Sequence, residues 1–414
     1  MTASSLLIKN IGKLILASHT SVPFKKGKEL SNLPQIEHAF LEIENEKIKS
    51  FGSMDELPSW KGEIMDAQGG YILPAFVDCH THLVFADWRN QEFVDRIHGL
   101  TYQEISSKGG GILNSAKKLA ALSEDELYDR SAQRLTLAIK KGTGAIEIKS
   151  GYGLNTENEL KILRVIQRLK QHFPIPIKAT FLGAHSFPLE FREHHQAYIQ
   201  QIIHEMLPEI EKHNLADYCD VFCEQNFYSP DETDQILEAA TKHGLKARIH
   251  TNQFTHSGGI DIALKHHAVS VDHLEVCNDD EIQKLKDTNT HPVLLPAAAF
   301  FMNLEYPPAR RMIDQGLGVI LASDFNPGTS PSSNMSFVLS LACIKMRMTP
   351  EEAIQAMTIN AAHNLEIAQE VGSIESGKIA NLILTGPIPG ISYLPYAFGD
   401  SWFTRIFIRG NPDF

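Results

Sequence analysis

Histidine is the residue type with the most chemistry to offer in this sequence. The chain carries 19 histidines, and imidazole is both the commonest metal ligand and the side chain whose proton exchange falls nearest neutral pH. Two of them stand as His80-Thr81-His82 at the close of a β-rich run, Ala75–His82. Alternation along a strand puts residues i and i+2 on one face, so both imidazoles point the same way, about 7 Å apart at Cα and within reach of one ion. Cys79, next to His80, turns to the opposite face and reads as packing. His185 ends the run Ile175–His185, His250 ends Leu245–His250, Asp272-His273 lies near the end of Val269–Leu274, and Ser323-Asp324 ends Gly316–Asp324. Taken singly, a strand-end histidine also fits a hydrogen-bonded loop residue, and a strand-end aspartate a turn or helix cap. Together, H-x-H on one run, histidines on two more and an aspartate on a last one read as a metal site.

Such a site needs elements that bring distant segments to one rim. Eight β-rich runs recur: the five containing Ala75–His82, Ile175–His185, Leu245–His250, Val269–Leu274 and Gly316–Asp324, with Gly144–Ser150, Tyr218–Glu224 and Pro292–Ala299. Helical periodicity fills the spaces between, as in Glu157–Lys170, Phe191–Lys212, Asp231–Lys242, Asp279–Asp287 and Met335–Met346. Strands alternating with helices predict a parallel sheet, and eight units predict a closed (β/α)8 barrel of the TIM type, whose catalytic groups sit at the C-terminal strand ends. Residues 1–70 and 371–414 break the rhythm with alternating β patterns, as at Ala39–Ile43, Lys47–Gly52, Ile379–Leu384 and Trp402–Ile408. They predict one small discontinuous β-domain built from both chain ends, beside a barrel of residues 71–370. Thr349-Pro350-Glu351-Glu352 predicts a capping box, with proline in the first turn, opening a helix through Ile354, Met357 and Ala361 toward Leu365.

With its metal-type residues on these strand ends, the sequence resembles the amidohydrolase superfamily. That resemblance implies that His80, His82, His250 and Asp324 bind one metal. Three neutral imidazoles and one carboxylate suit Zn²⁺ or Fe with an open position for water, which the metal acidifies to give hydroxide near neutral pH. Asp324 suits uptake of the water proton, and His273 suits stabilisation of negative charge developing on the substrate. Binuclear members of the superfamily add a bridging modified lysine on the fourth strand. Here that run ends Phe222-Cys223-Glu224-Gln225, while Lys149 closes the second run. One ion per chain is therefore expected.

Four segments narrow the resemblance: Asp78–Phe85 with Arg89, Tyr102 with Gly109-Gly110-Gly111, Glu147–Leu154 (EIKSGYGL), and Ser323–Pro331 (SDFNPGTSP). They are similar to the branch of the superfamily that hydrolyses the cyclic C–N bond of 4-imidazolone-5-propanoate to N-formimidoyl-L-glutamate, the third step of histidine degradation. The likeness runs from about Leu6 to Gly410. A propanoate arm calls for a bidentate cation, which Arg89 supplies, and Tyr102 and Tyr152 offer hydroxyls and apolar walls. The resemblance puts Arg89, Tyr152 and His185 on the substrate, Asn326 and Gly328 on the polar end of the product, and Thr329 on the ring. Backbone N–H groups at residues 326–329, read as lying just before the helix that follows the eighth strand, would cradle a polar or anionic group. The family has Glu or Gln where this chain has Gln253. Glutamine cannot ionise, so Gln253 is read as orienting the ring, and proton transfer falls to Asp324, His273 and His185. By residue type alone, Arg89 also fits an ion pair with Glu92 or Asp95, the two tyrosines fit packing, and Gly109–Gly111 fit a hinge.

Composition sets the outer limits. The 38 basic and 50 acidic residues leave a net charge of −12, which argues against binding nucleic acid or an anionic membrane. No apolar run approaches the roughly 18 residues of a membrane span, and no secretory leader is evident. Five scattered cysteines fit a reducing compartment, hence a cytoplasmic protein. Partners are then a small carboxylate-bearing substrate and, by the resemblance, a second copy in a homodimer. Two other readings share the metal cage: a purine or pyrimidine ring deaminase of the same superfamily, and a non-catalytic binding protein on a retired barrel. Arg89 separates the first of these, because a neutral base gives it no carboxylate to hold.

Overall fold

The computed structural model describes residues 5–18, 24–101, 104–105 and 110–412. Its N-terminal segment forms β1 (Ser5–Ile15), β2 (Gln35–Glu44), β3 (Lys47–Ser53), β4 (Glu63–Asp66) and β5 (Tyr71–Pro74). Eight parallel strands follow: β6 (Phe76–Asp78), β7 (Thr143–Lys149), β8 (Ile177–Ala184), β9 (Tyr218–Cys223), β10 (Lys246–Thr251), β11 (Ser270–His273), β12 (His291–Leu294) and β13 (Ile320–Leu321). They lie side by side in sequence order, with helices in the connections, as right-handed crossovers require. Near the C-terminus β14 (Leu382–Thr385) and β15 (Phe403–Phe407) return to the first sheet, whose order is β15-β14-β5-β1-β2-β3 with β4 beside β1. The two ends of the chain thus share one seven-stranded mixed sheet, which has its own apolar cluster around Ile8, Leu41, Ile72 and Leu382.

The barrel closes just past the ends of β6 and β13. Thr81 forms an isolated parallel bridge with Phe325. Asp324 N–H donates to the His80 carbonyl at 3.1 Å, and His82 N–H to the Phe325 carbonyl at 2.9 Å. The closing seam therefore carries His80, His82 and Asp324 into one place.

Period-two alternation sorts the barrel strands. Ile146, Ile148, Val221, Ile249 and Val271 join the main apolar cluster with the helices. Their neighbours Glu147, Lys149, Asp220, His250 and Asp272 face the other way and meet one another inside the barrel.

The elements differ from the sequence expectation in five places. The first run stops being strand at Asp78, so the histidine pair sits in the extended segment beyond β6. The seventh run, read as Pro292–Ala299, is strand only to Leu294; Pro296 occupies the first turn of a helix, Pro296–Met302, where its missing N–H costs nothing and the alanines propagate it. The eighth is strand only at Ile320–Leu321. The helix expected over Phe191–Lys212 is broken into His195–Gln201, a π-turn at Ile202–Met206 and Leu207–His213. Pro208 gives the reason, since it has no N–H to donate back into the preceding turn. Thr349 and Glu352 form the expected capping box, but that helix ends at Ala356 and restarts as Ile359–Asn364, Thr358 between them leaving helical geometry at φ −123°, ψ −92°.

Candidate metal and substrate site

His80 and His82 each place Nε2 3.5 Å from Asp324 Oδ1, and His250 Nε2 lies 3.3 Å from His82 Nε2. All four side chains are buried. Burial pushes the pKa of His80 and His82 well below the ordinary imidazole value and lowers that of His250, so each is a neutral ring with a lone pair to give. His80 Nε2 is buried without a hydrogen-bond partner among the described residues, as expected of an atom that needs a cation. The donor set fits one Zn²⁺ or Fe ion. Asp324 (φ 52°) and His273 (φ 88°) hold left-handed backbone conformations that non-glycine residues rarely adopt. Such strain concentrates at functional sites.

A second layer of carboxylates orients the imidazoles. His80 Nδ1 lies 2.6 Å from Asp272 Oδ2, and His250 Nδ1 lies 2.9 Å from Asp220 Oδ2. With Nδ1 set against a carboxylate, each ring presents Nε2 toward the common point. Lys149, fully buried, stands between these carboxylates: its Nζ is 2.8 Å from Glu147, 2.9 Å from Asp220 and 3.9 Å from Asp272. Burial works against the ammonium, but the three carboxylates outweigh it and hold the Lys149 pKa above its ordinary value. Lys149 is thus the internal cation of the layer. Asp220, Asp272 and Lys149 were not among the expected site residues. The signal available was an ionisable side chain on the interior-facing position of an otherwise apolar strand, as in Tyr218-Cys219-Asp220-Val221-Phe222-Cys223.

Beside the cluster a pocket is lined by Arg89, Tyr152, His185, Gln253, His273 and Asn326, among others. Arg89 is buried at the start of the helix Asn90–Ile97, with Nε 3.7 Å from Glu92 Oε2 and Nη1 unpartnered among the described residues. Glu92 in turn accepts from Gly111 N–H (3.0 Å), which opens the helix Ile112–Ala120. His185 stacks on His82 with centroids 5.1 Å apart, donates from Nδ1 to the Gly151 carbonyl at 3.0 Å, and is held neutral by burial, its pKa pushed down to about 3. His273 lies 3.3 Å from Glu275; burial opposes its charge, but the carboxylate prevails and raises its pKa to about 9. Burial raises the pKa of Asp324 to about 7.

The Ser323–Pro331 loop corrects one expectation. The N–H groups of Gly328 and Thr329, expected to cradle a polar ligand group, both donate to Asn326 Oδ1, at 2.8 and 2.7 Å. Asn326 Nδ2 donates to the Asp324 carbonyl (2.6 Å) and to Thr329 Oγ1 (2.7 Å). The next helix begins only at Met335, so this segment is a self-bonded turn and not a helix N-terminus. Thr329 Oγ1 reaches Asp324 Oδ2 at 3.4 Å. Tyr102 and Gly109 lie outside the described residues, and Cys79 packs in an apolar cluster with Val77 and Ala322.

Comparison with known proteins gives the family. The sequence model described as "Amidohydrolase family" matches residues 71–412. The imidazolonepropionase of Flavobacterium johnsoniae is 53% identical over 98% of this chain and 99% of its own, and that of Christiangramia forsetii is 49% identical over the same shares. Among solved structures, the atrazine chlorohydrolase of Arthrobacter aurescens TC1 complexed with zinc superposes with a TM-score of 0.73 over 98% of this chain and 94% of its own, at 14% identity, a likeness of fold. With its barrel, its buried histidine and aspartate cluster and relatives of this closeness, the chain belongs to the imidazolonepropionases of the amidohydrolase family.

Proposed function

We propose that this protein hydrolyses the ring C–N bond of 4-imidazolone-5-propanoate to give N-formimidoyl-L-glutamate in histidine degradation. The observation that carries the reading is one pocket lined both by His82, His250 and Asp324 and by the buried Arg89. That pairing suits a small planar ring with an acid arm. His80, His82, His250 and Asp324 would hold one Zn²⁺ or Fe ion, which supplies Lewis-acid chemistry and acidifies water.

The chain's own groups do the rest. Arg89 clamps the propanoate through two parallel N–H donors. Tyr152 and His185 wall the ring, and Gln253 orients it by hydrogen bonding. Tyr102 belongs to the same reading as a further hydroxyl. Thr329 faces the ring beside Asp324, while Asn326 shapes the turn that sets Gly328 against Arg89. Asp324 takes the proton of the attacking water and returns it to the leaving nitrogen. His273, with its pKa raised to about 9 against Glu275, stays protonated and donates to the oxygen on which negative charge develops. Neutral His185, its Nδ1–H given to the Gly151 carbonyl, offers its other ring nitrogen to the substrate ring as a hydrogen-bond acceptor.

The same reading takes residues 71–370 as the catalytic barrel and residues 1–70 with 371–414 as a composite β-unit, supported by the mixed sheet the two ends share. It also takes the protein as cytoplasmic, in line with five unpaired cysteines, and as a homodimer. Among the described residues no helix is long and apolar enough to cross a membrane. The test is product analysis: zinc- or iron-loaded protein should convert 4-imidazolone-5-propanoate to a product one water heavier, release no ammonia, and leave guanine and adenine untouched. Ammonia release from a purine would favour a ring deaminase instead.

A further inference from the structure

We infer that Glu159 is a positioning residue for the substrate: its buried carboxylate builds the loop that presents Tyr152 and His185 to the pocket. Glu159 lies in the helix Thr156–His172 and is fully buried. Its two oxygens receive three backbone N–H groups of the preceding loop. Gly151 donates to Oε2 at 3.0 Å; Gly153 and Leu154 donate to Oε1 at 2.6 and 3.0 Å. Tyr152 sits between the first two donors. The Gly151 carbonyl is the acceptor for His185 Nδ1, so the same loop fixes which imidazole nitrogen is left to face the pocket.

Two glycines and a left-handed leucine shape the loop. Gly151 has φ +115°, and a Cβ there would come 2.8 Å from His185 Nδ1. A Cβ on Gly153 would come 2.3 Å from the backbone nitrogen of Glu159, so this glycine lets the loop lie against the helix. Leu154 is left-handed at φ 54°, a conformation that leucine keeps only when its surroundings hold it. Three donors on two oxygens also explain the choice of a carboxylate. Glutamine offers one oxygen and sets its NH₂ donor against an N–H donor.

The parts moved by this device are pocket walls and not metal ligands. Tyr152 lies 5.4 Å from His185 and 6.0 Å from His82, centroid to centroid. Misplacing reacting partners by about 1 Å costs up to about 100-fold in rate. Loss of Glu159 should therefore lower kcat/KM while the metal is retained.

The inference rests on the hydrolase reading above, and the experiment separates the two. Metal-loaded wild type, Glu159→Gln, Glu159→Ala, the double variant Tyr152→Phe with His185→Gln, and that double variant carrying Glu159→Gln are assayed on 4-imidazolone-5-propanoate, with metal content measured for each. An inactive wild type overturns the hydrolase reading and this inference with it. With active wild type, the inference expects Glu159→Gln to keep its metal and lose at least about tenfold in kcat/KM, and to cost less than about threefold in the double-variant background, because the groups it positions are already gone. Glu159→Gln, nearly isosteric, carries the test if Glu159→Ala does not fold. Wild-type kcat/KM in Glu159→Gln, or a loss of equal size in both backgrounds, would overturn it.

Discussion

The guanidinium of Arg89 lies directly on Gly328, so close that a Cβ built on the glycine would fall 1.1 Å from Arg89 Nη2 and 1.9 Å from its Cζ. Nothing larger than hydrogen fits between loop and cation. Arg96, on the same helix as Arg89, donates to the Gly328 carbonyl and fixes the glycine from behind. Gly328→Ala should therefore expel the guanidinium and behave as Arg89→Ala does. Both variants should raise KM for the imidazolone about 10- to 100-fold, the worth of a charge-assisted bidentate contact, with metal content unchanged. Unaltered KM in Gly328→Ala would show that the carboxylate is held elsewhere.

Lys149 makes a second prediction. It is the one cation within 4 Å of both Asp220 and Asp272 in the ion pairs among the described residues, and these carboxylates orient His250 and His80. Lys149→Met removes the ammonium that both carboxylates share in the barrel interior. Removing one partner of a buried pair costs about 3–5 kcal/mol, and disturbing the layer behind metal ligands costs about 10- to 100-fold in metal affinity. Urea unfolding and chelator competition read the two effects. Metal affinity equal to wild type would contradict the role assigned to Lys149.

Acid lability has a source far from the site. His291 stacks on Phe24 at 3.9 Å, and burial, with His363 nearby, depresses its pKa from 6.5 to about 3. Its neutral form is favoured in the fold, whereas the unfolded chain binds the proton below 6.5. The stability it contributes is therefore present above pH 6.5 and is lost as pH falls toward 3. Between pH 7.5 and 5 the loss is about 2 kcal/mol. His291→Phe should flatten the dependence of Tm on pH in that window. A slope identical to wild type would remove His291 from the account.

Gln253 lines the pocket beside His250 and Phe254. If it only orients the ring, Gln253→Glu retains turnover but adds an ionisable group, and a new inflection should enter the pH–rate profile. A variant that holds its metal and is dead at every pH would show that the amide N–H₂ is indispensable.

The residues gathered in the buried cluster and its pocket were legible because each stands at or near the end of a β-rich run: His80, His82, His185, His250, His273 and Asp324. The groups behind them were not, because their partners are remote in sequence. Asp272 and His80 stand 192 positions apart, and nothing local to Asp272 announces its imidazole. Glu159 reads as an ordinary first-turn helix acid until the fold turns it onto the EIKSGYG loop. The breaks at Pro208 and Pro296 followed known proline chemistry that the hydrophobic pattern masked. At Thr358 no local breaker announces the break, where the Met357 carbonyl accepts from Val77 N–H of β6 at 2.9 Å. The expected N–H cradle failed for a subtler reason: Asn326 satisfies those donors itself, which residue type alone did not reveal.

The central claim is that a single ion held by His80, His82, His250 and Asp324 opens the imidazolone ring. Titrating Zn²⁺ or Fe²⁺ into metal-stripped protein while following 4-imidazolone-5-propanoate by its absorbance tests it most directly. The account predicts no decay without metal, a rate rising in proportion to bound ion, and a plateau at one ion per chain. No decay at full metal occupancy, or a rate that needs two ions per chain, would contradict it.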